Sequence, residues 1–471
     1  MADLSIYFLG QGLRQLQRAG NLSFITSGTF QKLNFGAPLR QHLADHAMLV
    51  ELVEFGEQQV FSDATTYPVI FLMRNEPPSP EGTFTLRRPA LTPQQFATVG
   101  DVKQPTGNSP WVFITENLQH IIDGWADSRP LGKVLIEPPY RGVTTGFNRA
   151  FVLPQKIRDR LIQENPNSSA IIKPLLRGED LRPWYQEAQN NWLIFTKRGI
   201  DIDAYPNIKD YLQQFRENLE PQPTDWDQMI PWLGRKAGHY KWYEIQDSVE
   251  YFRVFEKARI HSTKVSLYPA FSLLEAPAYA GNTSYVLPVP DVETGFYLLG
   301  LLNSRVCEYF SRSVFAAKAN GYYEVQPEAL ARFPVPNASD ADREAIGGLA
   351  REITDEAKAR YTLHEKVRRR LRTDFDAHGI GLNQKLTAWW TLDFAGLQKE
   401  LLKVFKKAIA VRERDEWEDT FNEYRAAHNT HTDAIIRRET DLNARVYALF
   451  HLVGDEIKLI EAATKYKYGE V

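Results

Sequence analysis

The chain has 471 residues, of which 43% are hydrophobic, 24% charged and 12% aromatic. This composition is typical of a globular protein, and the length predicts two to four domains. The single cysteine, Cys307, excludes a disulfide framework and a cysteine-rich zinc site, and it favours a reducing cytoplasm. The formal net charge of −3 provides no global basic field. Affinity for DNA depends on local neutralisation of phosphates, so the charge leaves a nucleic-acid function open.

The N-terminus does not have the pattern of a signal peptide. Asp3 comes early, and the apolar run over residues 4–9 stops at Gly10 without a cleavage-like sequence. No stretch approaches the ~18–20 apolar residues that a membrane-spanning helix needs. We therefore expect a soluble, cytoplasmic protein that has no membrane partner.

Residues 1–75 alternate between helical and strand patterns. In chain order the pattern predicts a helix over Ser5–Arg18, a strand over Leu22–Thr26, a helix across Phe30–Asp45, and strands over Leu49–Phe55 and Val69–Met73. This order is typical of the end of a doubly wound α/β sheet. A complete sheet of that type needs roughly 150 residues. The sequence therefore predicts a truncated α/β domain, or one whose sheet is completed by another chain.

The rest of the chain divides at two changes in composition. Asn75–Pro80 contains three prolines and indicates a linker. Short strand-like runs separated by Pro and Gly turns follow as far as Pro336, at Trp111–Thr115, Trp192–Thr196 and Ser284–Val289. Beyond Asn337 there is no proline, and helical patterns cover Asp340–Ala377, Leu392–Arg425, Thr432–Leu452 and Asp455–Thr464. We predict an α+β multi-domain protein with domains at 1–80, 81–340 and 341–471.

Several segments occur in a recognisable order along almost the whole chain. They are Tyr7–Thr26, Phe30–Arg40, Val50–Pro68, Tyr140–Phe151, Lys173–Leu181, Trp242–Glu244, Lys257–Ile260, Leu301–Ser304, Gly321–Pro336 and Leu442–Gly469. Together they resemble the Type IIG and related restriction–modification DNA methyltransferases that have a Taq-type C-terminal specificity domain. In that family the first three segments are a helix and fifth strand, the next helix, and the sixth strand, hairpin and seventh strand of the methyltransferase sheet.

The resemblance implies a function for each region. Residues 1–80 correspond to the C-terminal portion of a Rossmann-like methyltransferase domain, 81–340 to the target recognition domain, and 341–471 to a helical bundle or coiled coil. The implied function is sequence-specific binding of double-stranded DNA, as the specificity part of an adenine-N6 methyltransferase in a restriction–modification, phage-defence system.

Two motifs of the family are absent from the chain: the Gly-rich cofactor turn, and the Asn/Asp-Pro-Pro-Tyr/Phe loop that holds the flipped adenine. We therefore expect no catalytic and no cofactor-binding residue, and a chain that is inactive alone. S-adenosylmethionine would bind only where the missing methyltransferase half, upstream or on a partner restriction–modification chain, completes the catalytic domain. The alternative is a non-catalytic DNA-binding or scaffolding subunit of a defence complex.

Other catalytic interpretations have less support. Glu137–Tyr140 (Glu-Pro-Pro-Tyr) lies after the seventh strand, and glutamate is longer than Asn or Asp, so a turn is favoured over an enzyme of unknown type that uses this loop. Pro290–Glu293 begins like a PD-ExK nuclease but lacks the following lysine, and Ser27 has no partnered base in view. The ten histidines show no zinc-ligand spacing, so no metal site is expected.

Cations mixed with hydroxyl, amide or aromatic side chains mark the candidate DNA contacts, because such groups bind phosphates and base edges. The candidates are Arg141, Thr144, Thr145, Asn148, Arg177, Arg182, Arg235, Lys236, Lys241, Lys257, Arg259, Lys264, Lys318, Tyr322, Arg368 and Arg369.

Each of these runs also has a structural interpretation. The 141–148 run could be an ordinary polar loop, 177–185 a turn held by ion pairs with Trp184 buried, and 366–372 a solvated helix face. Trp242 and Tyr243 are expected to be core residues. The 257–264 run alternates like a strand, with Lys257 and Arg259 on one face and Ile260 on the other.

Overall fold

The computed structural model describes residues 4–55, 60–61, 68–79, 81–89, 96–109, 111, 113, 128–187, 191–227, 229–318 and 321–470. These residues form several small sheets and a helical C-terminal region, which confirms the predicted mixed α+β class. The 62–67 hairpin segment, and the predicted strand at Trp111–Thr115 apart from Trp111 and Phe113, lie outside the described residues.

The first region is a sheet with two helices. Its elements are α1 (Leu4–Arg14), β1 (Asn21–Ser27), α2 (Ala37–His46), β2 (Met48–Glu54), β3 (Pro68–Arg74), β4 (Thr83–Pro89) and β5 (Phe96–Lys103). The strand order is β1-β3-β2-β4-β5. β3 is antiparallel to β1 and β2, β2 is parallel to β4, and β4 is antiparallel to β5. The helix and strand order predicted up to Met73 agrees with this arrangement.

Two features of the first region differ from the sequence-based expectation. The segment 28–36 forms short 3₁₀ turns, and regular helix begins only at Ala37, with Pro38 in its first turn, where a missing N–H is tolerated. β4 and β5 also extend the sheet beyond Asn75–Pro80. The chain is still attached to the sheet at Asn75, because the Asn75 N–H donates to the Gly20 carbonyl oxygen at 2.9 Å.

The middle of the chain, residues 129–335, forms a second region, which we call the recognition region after the domain that the resemblance implies. Its strands are β6 (Arg129–Pro130), β7 (Tyr140–Arg141), β8 (Val152–Pro154), β9 (Ile172–Leu176), β10 (Asn191–Ile194), β11 (Arg259–Thr263), β12 (Val265–Ser266), β13 (Phe271–Leu274), β14 (Tyr279–Ala280), β15 (Ser284–Pro288), β16 (Ala316–Ala317), β17 (Tyr323–Glu324) and β18 (Pro334–Val335). Its helices are α3 (Asn148–Phe151), α4 (Gln155–Glu164), α5 (Pro206–Gln213), α6 (Arg216–Leu219), α7 (Val292–Leu302), α8 (Arg305–Val314) and α9 (Pro327–Leu330).

Two four-stranded sheets organise this region. One has the order β14-β9-β10-β8 and the other β13-β11-β15-β7. Val143 and Gly281 form a bridge next to them, so the loop after β7 runs beside the turn that leads into β15. The smaller groups β12-β17-β16 and β18-β6 complete the region.

The C-terminal region is helical: α10 (Asp340–Phe375), α11 (Gln384–Thr387), α12 (Phe394–Phe405), α13 (Arg414–Leu449) and α14 (Gly454–Ala463). α13 runs without the break expected between Arg425 and Thr432, because it contains no glycine or proline. The helix predicted over Leu392–Arg425 is instead interrupted at Lys406, which has a left-handed φ of 53°. Within the described ranges, no helix is both long enough and apolar enough to span a bilayer.

The recognition and helical regions share one hydrophobic core. Leu287 of β15, Leu299 of α7, Ile353 of α10 and Leu442 of α13 belong to the same buried cluster. A separate core fills the first half of the recognition region around Phe151 and other buried residues. The sheet of the first region and the far end of the helical region each have their own cluster. This packing fixes the recognition region on the long helices.

Candidate nucleic-acid interface

The loop from Arg141 to Asn148 is held closely against the rest of the recognition region. The Gly142 N–H donates to the Ser284 carbonyl oxygen at 3.0 Å. A Cβ on Gly142 would lie 2.0 Å from the Gly281 carbonyl oxygen, so only glycine fits there. The Thr145 hydroxyl is buried and donates to Asn148 Oδ1 at 2.7 Å. Thr145 therefore shapes the loop, Thr144 is half-buried, and Arg141 and Asn148 are exposed.

Arg235 is buried and does not face solvent, with an exposed fraction of 3%. Its guanidinium donates to five backbone carbonyl oxygens, those of Leu219, Thr145, Glu244, Lys241 and Trp242, at distances of 2.7–3.3 Å. Burial lowers its pKa to about 10, so the group remains cationic at neutral pH. Its position corrects the expectation of a DNA contact: Arg235 ties the 141–148 loop to the 241–244 turn, while Lys236 and Lys241 remain exposed.

Arg259 requires the same correction. All five residues of β11 are buried, because β11 is a central strand between β13 and β15 and both of its faces are covered. The Arg259 guanidinium donates to the carbonyl oxygens of Lys257 and Ala278 at 2.6 Å each, and burial lowers its pKa to about 10. The expectation that the strand presents one cationic face is wrong for Arg259; Lys257, before the strand, is exposed.

A second group of candidates meets around Thr283 and Glu324. Thr283 accepts from the Gly178 N–H at its hydroxyl oxygen (2.8 Å) and from the Lys264 N–H at its carbonyl oxygen (2.9 Å). Glu324 forms ion pairs with Lys264 at 3.4 Å and Lys318 at 2.7 Å. These contacts bring half-buried Arg177, which pairs with Glu179, close to Lys264 and Lys318; Tyr322 nearby is 43% exposed.

The remaining candidates lie towards the helical region. Arg182 forms an ion pair with Glu187 at 3.1 Å, as expected of a paired turn, and is half-buried. Trp184, in the same run, is 1% exposed. Arg368 of α10 pairs with Glu365 at 2.7 Å, and Arg369 beside it is exposed. Among the described residues, Arg368 donates hydrogen bonds to Thr387 and Glu365 and has no hydrogen bond or ion pair with the two groups described above.

A cavity of about 420 Å³ lies between the first region and the recognition region. Lys32, Arg141, Arg332 and Glu328 contribute to its lining. Lys32 also donates to the Phe315 carbonyl oxygen at 2.7 Å and so joins the two regions, and burial lowers its pKa to about 8. Sequence reasoning missed Lys32 and Arg332, because each is an isolated cation without a neighbouring polar run.

The Glu137–Tyr140 segment is a packed turn. The Tyr140 hydroxyl donates to Glu137 Oε2 at 2.8 Å, and its ring stacks on Tyr251 at a centroid distance of 4.4 Å. These contacts give Glu137 a structural role. In the described part of the chain, no group of three or more His, Cys, Asp or Glu side chains is arranged to hold a metal ion.

Family profiles match three parts of the chain. The TaqI-like C-terminal specificity domain matches residues 173–335, the Eco57I restriction-modification methylase matches 1–61, and a domain of unknown function matches 339–446. Type II methyltransferase M.PaeR7I of Pseudomonas aeruginosa is 24% identical over 383 residues, which are 76% of this chain and 62% of that protein. Type II methyltransferase M.XhoI of Xanthomonas vasicola is 24% identical over 398 residues, 78% of this chain and 69% of that protein.

Among solved structures, the Type IIL restriction-modification enzyme MmeI in complex with DNA is 13% identical, with a TM-score of 0.48, and the match covers 90% of this chain and 51% of that chain. The chain thus spans about two thirds of the length of these curated relatives and about half of that enzyme. The family profiles and relatives confirm the resemblance to Type IIG-like restriction–modification methyltransferases with a Taq-type specificity domain.

Proposed function

We propose that this chain, a relative of the Type II restriction–modification methyltransferases that carries a TaqI-like specificity domain, binds double-stranded DNA and selects the sequence at which adenine N6 is methylated. The observation that carries the proposal is the specificity-domain match over 173–335. This range contains the exposed cations Lys236 and Lys241 and the group around Thr283 and Glu324. Cations fixed on a rigid frame can neutralise phosphates in a defined register.

The catalytic half is proposed to lie outside these residues and to dock on the first region. Residues 1–80 would then be the C-terminal portion of a Rossmann-like sheet. Among the described residues, no strand pairs with the outer edge of β1. Leu4, Tyr7 and Phe8 of α1 are 72%, 63% and 64% exposed beside an apolar cavity of about 580 Å³. Exposed apolar surface and an unpaired strand edge both favour association with further protein.

S-adenosylmethionine does not fit this chain alone. The sequence contains neither the Gly-rich turn nor the Asn/Asp-Pro-Pro-Tyr/Phe loop that would hold the cofactor and the flipped adenine. No step of methyl transfer is therefore assigned to its residues. The same absence favours a second candidate function, a non-catalytic DNA-binding or scaffolding subunit of a defence complex. A neighbouring reading frame that encodes both motifs would favour the first function.

Salt-dependent DNA binding tests the proposal. The full chain is used to select duplexes from a randomised library, and its affinity for selected and random duplexes is measured by fluorescence anisotropy between about 50 and 200 mM salt. We expect log K to fall linearly with log salt for both duplexes, and the selected duplex to bind at least about 10³-fold more tightly than the random one. A flat salt response would overturn DNA binding, and equal affinity for the two duplexes would overturn specificity.

A further inference from the structure

An aliphatic tip projects from the recognition region after α6. We define the tip as Met229, Ile230 and Leu233, whose exposed fractions are 89%, 51% and 68%. Met229 is the most exposed large hydrophobic residue in the described part of the chain. The three side chains lie within five consecutive positions of one loop, and contiguous exposed apolar surface favours a binding role. None of the three belongs to the residues selected from the sequence as DNA contacts.

The loop that carries the tip has internal support. At its base the Gln222 N–H donates to the Arg235 carbonyl oxygen and the Arg235 N–H to the Glu220 carbonyl oxygen, both at 2.9 Å. Inside the loop, Trp226 and Trp232 pack edge to face at a centroid distance of 4.7 Å. Trp226 Nε1 also donates to the Ile230 carbonyl oxygen at 2.8 Å. The two tryptophans therefore pack against each other inside the loop and support the exposed position of the tip.

Arg235 fixes the loop to the candidate interface. Its backbone closes the base of the loop, and its buried guanidinium donates to the Thr145 carbonyl oxygen at 2.9 Å. The tip is thereby tied to the 141–148 loop and to the exposed cations Lys236 and Lys241. An apolar projection and phosphate-binding side chains are thus held on one frame.

Two exposed lysines beside the loop favour DNA as the partner. Lys236 and Lys241 follow the loop, and their ammonium groups can neutralise phosphates of a duplex bound there. Asp225 and Asp227 precede the tip and are also exposed. These carboxylates would repel phosphates, so this side of the loop does not follow the DNA backbone. The tip itself remains as the part that can enter a groove.

We propose that Met229, Ile230 and Leu233 insert into a groove of the bound duplex and unstack one base step. Methionine, leucine and isoleucine are among the apolar side chains that act as such wedges in DNA-bending proteins. The inference rests on the proposed DNA-binding function and adds to it a source of specificity. Pyrimidine–purine steps unstack most easily, so the wedge favours target sequences in which the DNA deforms easily at that step. This selection adds to any contacts that other side chains make with base edges.

2-Aminopurine fluorescence tests the wedge, since this base fluoresces more strongly when it is unstacked. The probe is placed at successive positions of the selected duplex and bound by the full chain. We expect a rise in fluorescence at one step with the unchanged protein. Met229→Ala/Leu233→Ala should abolish the rise and weaken binding about 10-fold, with an unchanged salt slope, because the phosphate contacts remain. Val411→Ala is the matched control, since Val411 is a 76% exposed aliphatic residue of the helical region; it should change neither value.

The outcomes separate the wedge from the proposed function. If the chain binds DNA with a salt slope but no probe position brightens, the wedge is overturned and DNA recognition stands. The wedge is also overturned if the double variant still binds DNA and still raises the 2-aminopurine fluorescence, but no longer associates with a methyltransferase half. The tip would then contact protein. If no duplex binds in a salt-dependent way, both proposals fail. Thermal unfolding of the variants, expected to be unchanged at these exposed positions, confirms that they fold.

Discussion

Buried arginines give the candidate interface its shape. Arg235 and Arg259 each use a guanidinium, whose donors are spread over a rigid plane, to join carbonyl oxygens from separate segments. A lysine ammonium could not reach carbonyl oxygens spread over three segments. Lys236 and Lys241, whose side chains are exposed, remain candidates for DNA contact.

Two neighbouring substitutions should separate these roles. Arg235→Ala removes the donors to five carbonyl oxygens, four of them in buried hydrogen bonds, and we expect the free energy of unfolding to fall by about 3 kcal/mol and DNA affinity to fall with it. Lys236→Ala should change stability by less than about 0.5 kcal/mol and reduce the salt slope of DNA binding by about 0.9. Urea unfolding and anisotropy titrations measure the two effects. An unchanged slope in Lys236→Ala would remove Lys236 from the interface.

The sequence identified the cationic runs but not the direction of their side chains. Runs 141–148 and 235–241 come together in the structure, and both were recognisable from local composition. The inward orientation of Arg235 depends on carbonyl oxygens contributed by Leu219 and Thr145, which are distant in sequence. Such acceptors leave no local pattern, because every residue has a carbonyl group. The tip was missed for a related reason: an apolar residue in a loop has the same local signal whether it is buried or exposed.

At the scale of elements, α10 and α13 are joined by a histidine pair. His364 Nε2 and His428 Nδ1 are 2.9 Å apart, and Trp390 stacks on His364 at a centroid distance of 3.8 Å. Burial first, and then the proximity of Arg360 and His431, lower the pKa of His428 to about 4. Burial, followed by the proximity of His428, also lowers the pKa of His364. Both rings are therefore neutral in the folded protein at pH 7.

This pair should make the helical region sensitive to acid. In the unfolded chain both rings take up protons near pH 6.5, whereas in the folded chain they do not, so stability is present above pH 6.5 and is lost as the pH falls towards 4. The expected loss is about 1.6 kcal/mol per histidine between pH 6.5 and 5. Urea unfolding followed by tryptophan fluorescence at several pH values measures it.

The controls use other histidine substitutions. His364→Gln/His428→Gln should flatten the pH dependence, and substitution of the exposed His378 by Gln should leave it unchanged. A double variant that retains the full acid sensitivity would show that other groups cause it.

The order of elements was predictable where the pattern is local. Helix and strand periodicity were sufficient up to β3, and the long helices were recognisable from charge density and the absence of proline. The addition of β4 to the sheet was not predictable. It pairs with β2 in parallel, and Arg87 and Arg88 form ion pairs with Glu51 and Glu54 at 3.1 Å and 2.9 Å. Such cross-strand partners, more than thirty residues apart in sequence, are known only once the fold is known.

At the scale of the whole molecule, Glu439 joins three parts of the chain. Its carboxylate, on α13, is 1% exposed and accepts hydrogen bonds from Trp184 Nε1 at 2.7 Å, from the Tyr466 hydroxyl at 2.5 Å and from the Gly469 N–H at 2.6 Å. Burial raises its pKa, and these three hydrogen bonds oppose that effect. One side chain thus connects the recognition region, the long helix and the C-terminal segment.

Removal of this carboxylate should loosen all three parts. Glu439→Ala leaves three donors without an acceptor, and we expect the free energy of unfolding to fall by about 3 kcal/mol. Glu439→Gln keeps one acceptor oxygen and should lose less. Glu418→Ala, at an exposed position of the same helix, should have an effect within about 0.5 kcal/mol. Chemical unfolding measures all three variants, and equal stability of Glu439→Ala and Glu418→Ala would contradict the role of Glu439.

The core shared by the recognition and helical regions also constrains how such a gene can be rearranged. A crossover near residue 340 would combine α7 from one parent with α10 and α13 from another, and the side chains on the two sides of one core would no longer be selected for each other. Exchange of the 141–148 and 221–241 loops together keeps the Arg235–Thr145 hydrogen bond within the exchanged pair, and inheritance of residues 128–470 as one block keeps the shared core matched. Breakpoints in natural chimaeras of this architecture should therefore avoid the start of α10.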